Sequence, residues 1–344
     1  MGRVVVFEAP GSVGVSDYVD EALEPHQVRL KTLYSGISAG TELTAYRGSN
    51  PYLTKRWEPA RRLFTQDTVG LSYPVEGWGY EEVGEVVETG AEVTTVERGN
   101  VVWGAWGHRT HQVMTEADAA ARLLSPGVDP INGIFSQIGA IALNAVLDAD
   151  IHVGETVAVF GQGVPGLLAG QLARLNGGRI IAVDRLPARL ELASKLGAAV
   201  TIDAGTEVAA ERIKDLTSNR GADVCIEFTG SAPALNEAIK AAAYNSRVVA
   251  SGFFQGQAQG LFLGEEFHHN RIEVVCSQIS GVSARLDHRW NEHRLRTTVM
   301  DLQAEGRIDF ESLVSHVFTI EQAADAFRLL DETPSEAVQV VLKL

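Results

Sequence analysis

Thr156-Val-Ala-Val-Phe-Gly161-Gln-Gly163-Val-Pro-Gly166-Leu-Leu-Ala-Gly170, with Asp184 standing 18 residues beyond Gly166, is the stretch that decides the fold. An apolar run over 156–160 enters a glycine turn, and the turn opens an amphipathic helix predicted to run to about Asn176. A second apolar run over 179–183 then stops on Asp184. Each piece has a physical job in holding a dinucleotide. Gly161 permits a tight turn, Gly163 lets backbone approach a pyrophosphate, and Gly166 lets helix and strand pack closely. The helix start adds unpaired N–H groups and the positive end of the helix dipole for phosphate oxygens. Gly161, Gln162, Gly163, Val164, Pro165, Gly166 and Asp184 are therefore the candidate cofactor residues.

The acid also bears on the choice of cofactor. A carboxylate ending the second strand accepts hydrogen bonds from both hydroxyls of an adenosine ribose and repels a 2′-phosphate, which favours NAD over NADP. Arg185 and Arg189 pull the other way, because guanidinium groups clamp phosphate. The alternative for both is a solvated side chain, with Arg185 beside the adenosine.

With 344 residues the chain is long enough for two domains, each with its own core. Its 45% apolar and 21% charged content is that of an ordinary globular protein. A net charge of −15 argues against nucleic acid and anionic membranes as partners, since both need a basic surface. No apolar segment follows a basic start, and no apolar run looks long enough to cross a bilayer. Cys225 and Cys276 each sit in an apolar run, which predicts buried free thiols in a reducing compartment. The expectation is a cytoplasmic protein acting on a small molecule.

Along the chain, the part up to about Ala121 is glycine-rich, with short strands predicted over 4–7, 27–33, 84–89 and 100–103. Residues 48–74 fit neither period and are expected to form a long loop with one helical turn. A helix is predicted over 134–149, and then strands and helices alternate. Beyond the two strands of the opening motif come helix 187–196, strand 200–202, helix 207–217, strand 223–228, helix 234–243 and strands 247–251 and 273–277. Helices near 290–305 and 320–330 and a last strand over 337–342 close the chain. Such alternation predicts a parallel sheet with helices on both faces. Thr229-Gly230 and Gly252-Phe253 end two of its strands on the edge where ligands of doubly wound sheets lie, so they join the cofactor candidates. With other sequence on both sides, one domain is inserted in another, and the cleft between them is the expected active site.

Ser35-Gly36-Ile37-Ser38-Ala39-Gly40-Thr41-Glu42 with Tyr46-Arg47-Gly48, then Gly79-Tyr80-Glu81-Glu82-Val83-Gly84-Glu85-Val86, the glycine turn, and Ala323-Ala324-Asp325-Ala326-Phe327 carry a family likeness. On these motifs the chain resembles the medium-chain dehydrogenase/reductase superfamily along nearly its whole length, and most of all the bacteriochlorophyllide-type 2-hydroxyethyl dehydrogenase-like subgroup. The resemblance implies an α/β protein with a GroES-like β-rich catalytic domain over 1–137, an inserted Rossmann domain over 138–278, and a return to the catalytic domain over 279–344. It also implies hydride transfer with a nicotinamide, and homodimers formed through edge strands.

The zinc alcohol dehydrogenases of that superfamily take one ligand from a cysteine where this chain has Ser38. They take a second from a histidine where it has Tyr80, between Gly79 and Glu81. The third is a cysteine or acid just before the Rossmann domain, where Ser136-Gln137-Ile138-Gly139 offers neither; the four-cysteine lobe for structural zinc is missing. Zinc binds thiolate, imidazole or carboxylate, and hydroxyls are poor substitutes. No metal is therefore expected, although His108 and His111 are a possible source of imidazole ligands.

Without a Lewis acid the substrate oxygen needs a hydroxyl, imidazolium or ammonium donor. Tyr80 is the first candidate. Ser38 and Thr41 are candidate proton relays, Glu42 is expected to tune Tyr80 or Ser38, and Glu81 completes the set. Trp103, Trp106, His108, Arg109 and His111 either line a substrate pocket or are core aromatics with a surface turn. His268 and His269 lie in a loop that either approaches the cofactor or is solvated. Lys55, Arg56, Arg61 and Arg62 either attract an anionic substrate or form a solvated face. The leading expectation is a zinc-independent NAD(H) dehydrogenase of a secondary alcohol, such as a polyol, a sugar or a hydroxyethyl compound. The alternatives are a zinc-free quinone or enoyl reductase and a non-catalytic NAD-binding protein.

Overall fold

The computed structural model describes residues 1–66 and 68–344. It divides the chain into one unit of Met1–Gln137 with Leu313–Leu344 and a second of Ile138–Ser312. The return to the first unit thus falls at 313 rather than at the expected 279. The reason is packing: helix Glu292–Ala304 buries Leu295, Val299 and Met300, and a side chain on Gly139 would meet Val299 at 2.4 Å. Beyond that helix the Gln171 amide and the Asp309 backbone exchange two hydrogen bonds, of 2.7 and 3.1 Å, inside the second unit.

The second unit is a six-stranded parallel sheet, in the spatial order Val200–Asp203, Arg179–Asp184, Thr156–Phe160, Ala222–Glu227, Ala242–Ala250, Glu273–Cys276. This is the doubly wound Rossmann order, reversing direction between Thr156–Phe160 and Ala222–Glu227. The central strands read as continuous Val, Ile and Ala because helices cover both faces; Val157, Ala158, Val159, Ile181, Ala182 and Ile226 are fully buried.

The first unit is β-rich and GroES-like. Its main sheet runs Val314–Thr319, Gln339–Lys343, Gln27–Ile37, Glu82–Thr89, Val101–Gly104, with His111–Thr115 also pairing Gln27–Ile37. A smaller antiparallel sheet joins Gly2–Ala9 to Ser12–Tyr18 and Val75–Glu76. The register of the main sheet builds the site. Ser35 pairs with Glu82, so the end of one strand, with Ser38 just beyond it, meets the start of the other, just after Tyr80.

Several sequence expectations need correcting. The 48–74 stretch, of which residue 67 lies outside the described residues, has its expected helical turn at Pro51–Leu53, a 3-10 turn, but also holds an unexpected hairpin of Arg56–Glu58 with Leu63–Thr65. Strands Ser12–Tyr18 and Val314–Thr319 and helix Ala39–Arg47 were not anticipated. Cys225 is buried, but Cys276 is exposed, because its strand is the last of its sheet. The helical run Pro130–Ala149 is long and apolar enough to cross a membrane by length and composition, yet 72% of its most apolar window is buried inside the protein. That is the condition of a core helix.

Candidate active site

The glycine turn has the geometry its sequence requires. Gly161 takes φ +90°, and a side chain on Gly166 would stand 1.8 Å from the Gly161 carbonyl oxygen. Gly163 is different. Its φ of −73° suits any residue, and a side chain there would meet nothing nearer than 3.9 Å. Protein packing does not demand glycine at 163, whereas a ligand lying on the turn would. Helix Val164–Leu175 starts directly after it with no side-chain cap, leaving first-turn N–H groups for an anion. These residues fit a dinucleotide pyrophosphate.

Asp184 ties the turn to the second strand. Its carboxylate accepts the N–H of Gln162 at 2.6 Å, of Arg185 at 2.7 Å and of Leu186 at 2.9 Å. A carboxylate has about four acceptor positions, so roughly one remains for a ribose hydroxyl. The Gln162 side chain points inward to the Val159 carbonyl, at 2.7 Å, while the Arg185 side chain is exposed. Arg189 is the guanidinium near the turn: it stands 3.9 Å from where a Gly163 side chain would begin. Burial lowers its pKa, and the Asp184 charge partly restores it.

Thr229 and Gly230, and Gly252 and Phe253, close against one another and against the glycine turn. A side chain on Gly161 would meet Thr229 at 2.8 Å, and one on Gly230 would meet the Phe253 carbonyl oxygen at 2.7 Å. The structure therefore brings together three of the predicted turns. It adds one residue that sequence reasoning missed, the buried Glu227 beneath two of them.

In the first unit three hydroxyls converge. The Tyr80 phenol is hydrogen-bonded to Ser38 Oγ and lies 3.3 Å from Thr41 Oγ1. Ser38 precedes helix Ala39–Arg47, so Ser38 and Thr41 flank its first turn. Burial pushes the Tyr80 phenol above its ordinary range, with the Glu81 and Glu42 charges adding to the rise. Tyr80 is consequently a proton donor at neutral pH.

Three carboxylates, Glu42, Glu81 and Glu82, are fully buried behind these hydroxyls. Glu42 does not reach Tyr80 or the Ser38 hydroxyl. One oxygen accepts the Ser38 backbone N–H at 2.8 Å, and the other meets His108 Nε2 at 2.5 Å. His108 Nδ1 lies 2.6 Å from Ser35 Oγ, which donates to Glu82 at 3.0 Å, and Glu82 also accepts the Trp106 N–H at 2.6 Å. Burial works against charge on His108, but the Glu42 charge and hydrogen bond, with Glu82, win and raise its pKa. Burial likewise raises Glu82. Glu81 is raised well above the carboxylate range by burial and by the Glu42 and Glu82 charges. The Gln339 amide donates to the Ile37 and Val340 carbonyls at 3.2 and 3.0 Å, and among the described residues neither Glu81 carboxyl oxygen has a hydrogen-bond partner.

The donors around Tyr80 are neutral hydroxyls, which are poor zinc ligands. Among the described residues no group of three or more His, Cys, Asp and Glu side chains is placed to hold a metal ion. The residues present do not fit a zinc site.

The remaining candidates lie elsewhere. Trp103 and Trp106 are core aromatics, and Trp106 donates to Thr32 at 3.0 Å. His111 pairs with Asp20 at 2.9 Å, and Arg109 lies over the Tyr18 ring. His268 and His269 are exposed on the short helix Glu266–His269. Arg56, Arg61 and Arg62 are exposed around the hairpin, with Lys55 half-buried before it.

Comparison with known proteins agrees with this architecture. Residues 165–295 match the zinc-binding dehydrogenase family. D-guloside 3-dehydrogenase of Escherichia coli K12 is 28% identical, over 98% of this chain and 99% of the relative. Two solved structures share the fold. One, from Sinorhizobium meliloti 1021 and bound to NADP, is 22% identical with a TM-score of 0.80, covering 100% of this chain and 99% of that one. The other, a short chain alcohol dehydrogenase from Escherichia coli CFT073 complexed with NADH, is 20% identical with a TM-score of 0.78, at the same coverages. The chain is thus similar over nearly its whole length to dehydrogenases of the medium-chain alcohol dehydrogenase type, which supports an oxidoreductase.

Proposed function

We propose that this medium-chain dehydrogenase moves a hydride between NAD(H) and a secondary alcohol or its ketone without zinc, on a polyol, a sugar or a hydroxyethyl compound. The observation that carries the proposal is the meeting of Ser38 and Thr41 hydroxyls at the Tyr80 phenol, where the superfamily's zinc enzymes have a metal and its ligands. The nicotinamide supplies the hydride chemistry when bound. The chain supplies the rest. Tyr80, kept protonated by burial and by its acidic neighbours, donates to the substrate oxygen as negative charge develops there. Ser38 and Thr41 orient that phenol, returning a proton to it after ketone reduction and carrying one away from it in alcohol oxidation. The Glu42–His108 pair acts one step back, holding the Ser38 backbone and so the start of the helix that carries Thr41.

Asp184 supports NAD, since its remaining acceptor position suits a ribose hydroxyl and its charge opposes a phosphate. The relatives named above include one bound to NADP and one to NADH, so titration with both reduced cofactors is the direct check. A homodimer belongs to the same proposal. Strand Glu273–Cys276 ends its sheet with Val274 and Cys276 exposed, an apolar edge that a second copy would cover.

A panel of secondary alcohols and polyols with NAD, run beside enones with NADH and NADPH, tests the function. Alcohol-dependent NADH formation is expected. Turnover of enones alone with NADPH would favour the reductase alternative, and no turnover with any substrate the non-catalytic one.

A further inference from the structure

Glu227 ends strand Ala222–Glu227 between Phe160 and Ala250, the last residues of the two neighbouring strands. It is fully buried. One carboxylate oxygen accepts the Thr229 N–H at 2.6 Å and the Thr229 hydroxyl, and the other accepts the Gly230 N–H at 3.2 Å. Its main-chain oxygen takes the N–H groups of Ser251 and Gly252, both at 2.9 Å. The packing is tight enough that a side chain on Gly252 would stand 2.8 Å from the carboxylate. Two of the turns that face the cofactor are thus knitted together by one acid, and the third, at Gly161, packs on Thr229.

A carboxylate in an apolar strand is costly to bury unless it is used. Burial pushes its pKa up to about 7, against the pull of the Thr229 and Gly230 donors. Among the described residues no charged side chain contributes. Strand Thr156–Phe160 and the turns at 161–163 and 251–253 carry no ionisable group. On Ala242–Ala250, Arg247 lies three residues back from Ala250 and is bound to Glu273 and the Asp148 carbonyl, and Tyr244 is exposed. On helix Ala232–Ala241, Glu237 and Lys240 pair with each other. Cys225, on the same strand, is held as a neutral thiol by burial, its pKa pushed up to about 12. Asp184 ends a strand two places away.

We propose that Glu227 is a positioning residue of the cofactor site: its carboxylate holds the Thr229–Gly230 turn and, as the buried anion at these strand ends, favours the oxidised, positively charged nicotinamide over the reduced one. The pyrophosphate and riboses are common to both forms, so the ring charge is what distinguishes them. This rests on the nicotinamide reading above.

The test is the affinity of the full-length protein for NAD+ and NADH, and for NADP+ and NADPH, measured calorimetrically from pH 5.5 to 8.5. Affinity for the oxidised form is expected to rise roughly tenfold through neutral pH while the reduced form changes little, a coupling of about one pKa unit. Glu227→Gln should abolish the rise. Thr229→Val, which keeps the shape but removes one donor to the carboxylate, should move the rise to higher pH. A Glu227→Gln protein that keeps the rise, or a Thr229→Val profile that does not move, overturns the proposal. Failure of all four cofactors to bind at any pH would overturn the nicotinamide reading itself, and the two failures are thereby told apart.

Discussion

Alanine at Gly166 and alanine at Gly163 should behave differently, and the difference can be worked from the turn. At Gly166 the new carbon would start 1.8 Å from the Gly161 oxygen and would have to reach at least 3.0 Å, a displacement of 1.2 Å. The turn cannot yield that much while Gly161 N–H holds the Val183 carbonyl at 2.8 Å and Gln162 N–H holds Asp184 at 2.6 Å. Losing one neutral and one charge-assisted bond costs about 2–4 kcal/mol. Gly166→Ala should therefore lower Tm by roughly 5–15 °C and weaken cofactor binding as well. At Gly163 the new methyl fits without contact and at an ordinary φ, so Tm should hold within about 2 °C. The methyl would, however, occupy the space a pyrophosphate needs. Gly163→Ala should weaken NADH binding by at least roughly tenfold, the worth of about 1.4 kcal/mol. Thermal unfolding and fluorescence titration of both variants decide it. A Gly163→Ala protein that binds NADH like wild type would refute the placement of the pyrophosphate on this turn.

Tyr80→Phe should cut kcat by about 10²–10³-fold, the usual loss for one donor to a developing oxyanion, with little change in cofactor affinity; an undiminished kcat would remove Tyr80 from the chemistry. His108→Ala leaves Glu42 charged and buried without its partner, and denaturant unfolding should show a loss of about 3–5 kcal/mol. Because the pKa of His108 is raised in the fold, the stability that its charge brings is present at low pH and fades as pH rises through the folded value. Glu81 is also raised, so the folded state likewise loses stability as pH climbs through its folded value; Glu81→Gln should flatten that decline, and equal pH slopes for both proteins would argue against a raised Glu81. Val274→Lys on the exposed edge strand should yield monomers by light scattering if a second copy pairs there.

The glycine turn was legible because its constraints are local. A left-handed φ at 161 and a helix–strand contact at 166 leave their mark in adjacent residues. The convergence of Ser38, Thr41 and Tyr80 came from motif resemblance, and its physical cause is the Ser35–Glu82 register of strands nearly fifty residues apart in the chain. The partner of Glu42 was not legible. His108 is 66 residues away, and only the folded sheet brings it there. Glu227 was missed because a single acid ending an apolar run reads as an ordinary strand end. The sign that identifies it is the clustering of Thr229, Gly230 and Gly252 around its carboxylate, which no sequence spacing displays. The hairpin over 56–65 escaped because strands of three residues are too short to show a period.

Metal content measured together with turnover goes to the centre of the account. After exhaustive chelation the protein should carry far less than one zinc per chain and should still reduce NAD with its best alcohol at the untreated rate. Stoichiometric zinc whose removal abolishes turnover, and whose return restores it, would contradict a site built from Ser38, Thr41 and Tyr80 hydroxyls.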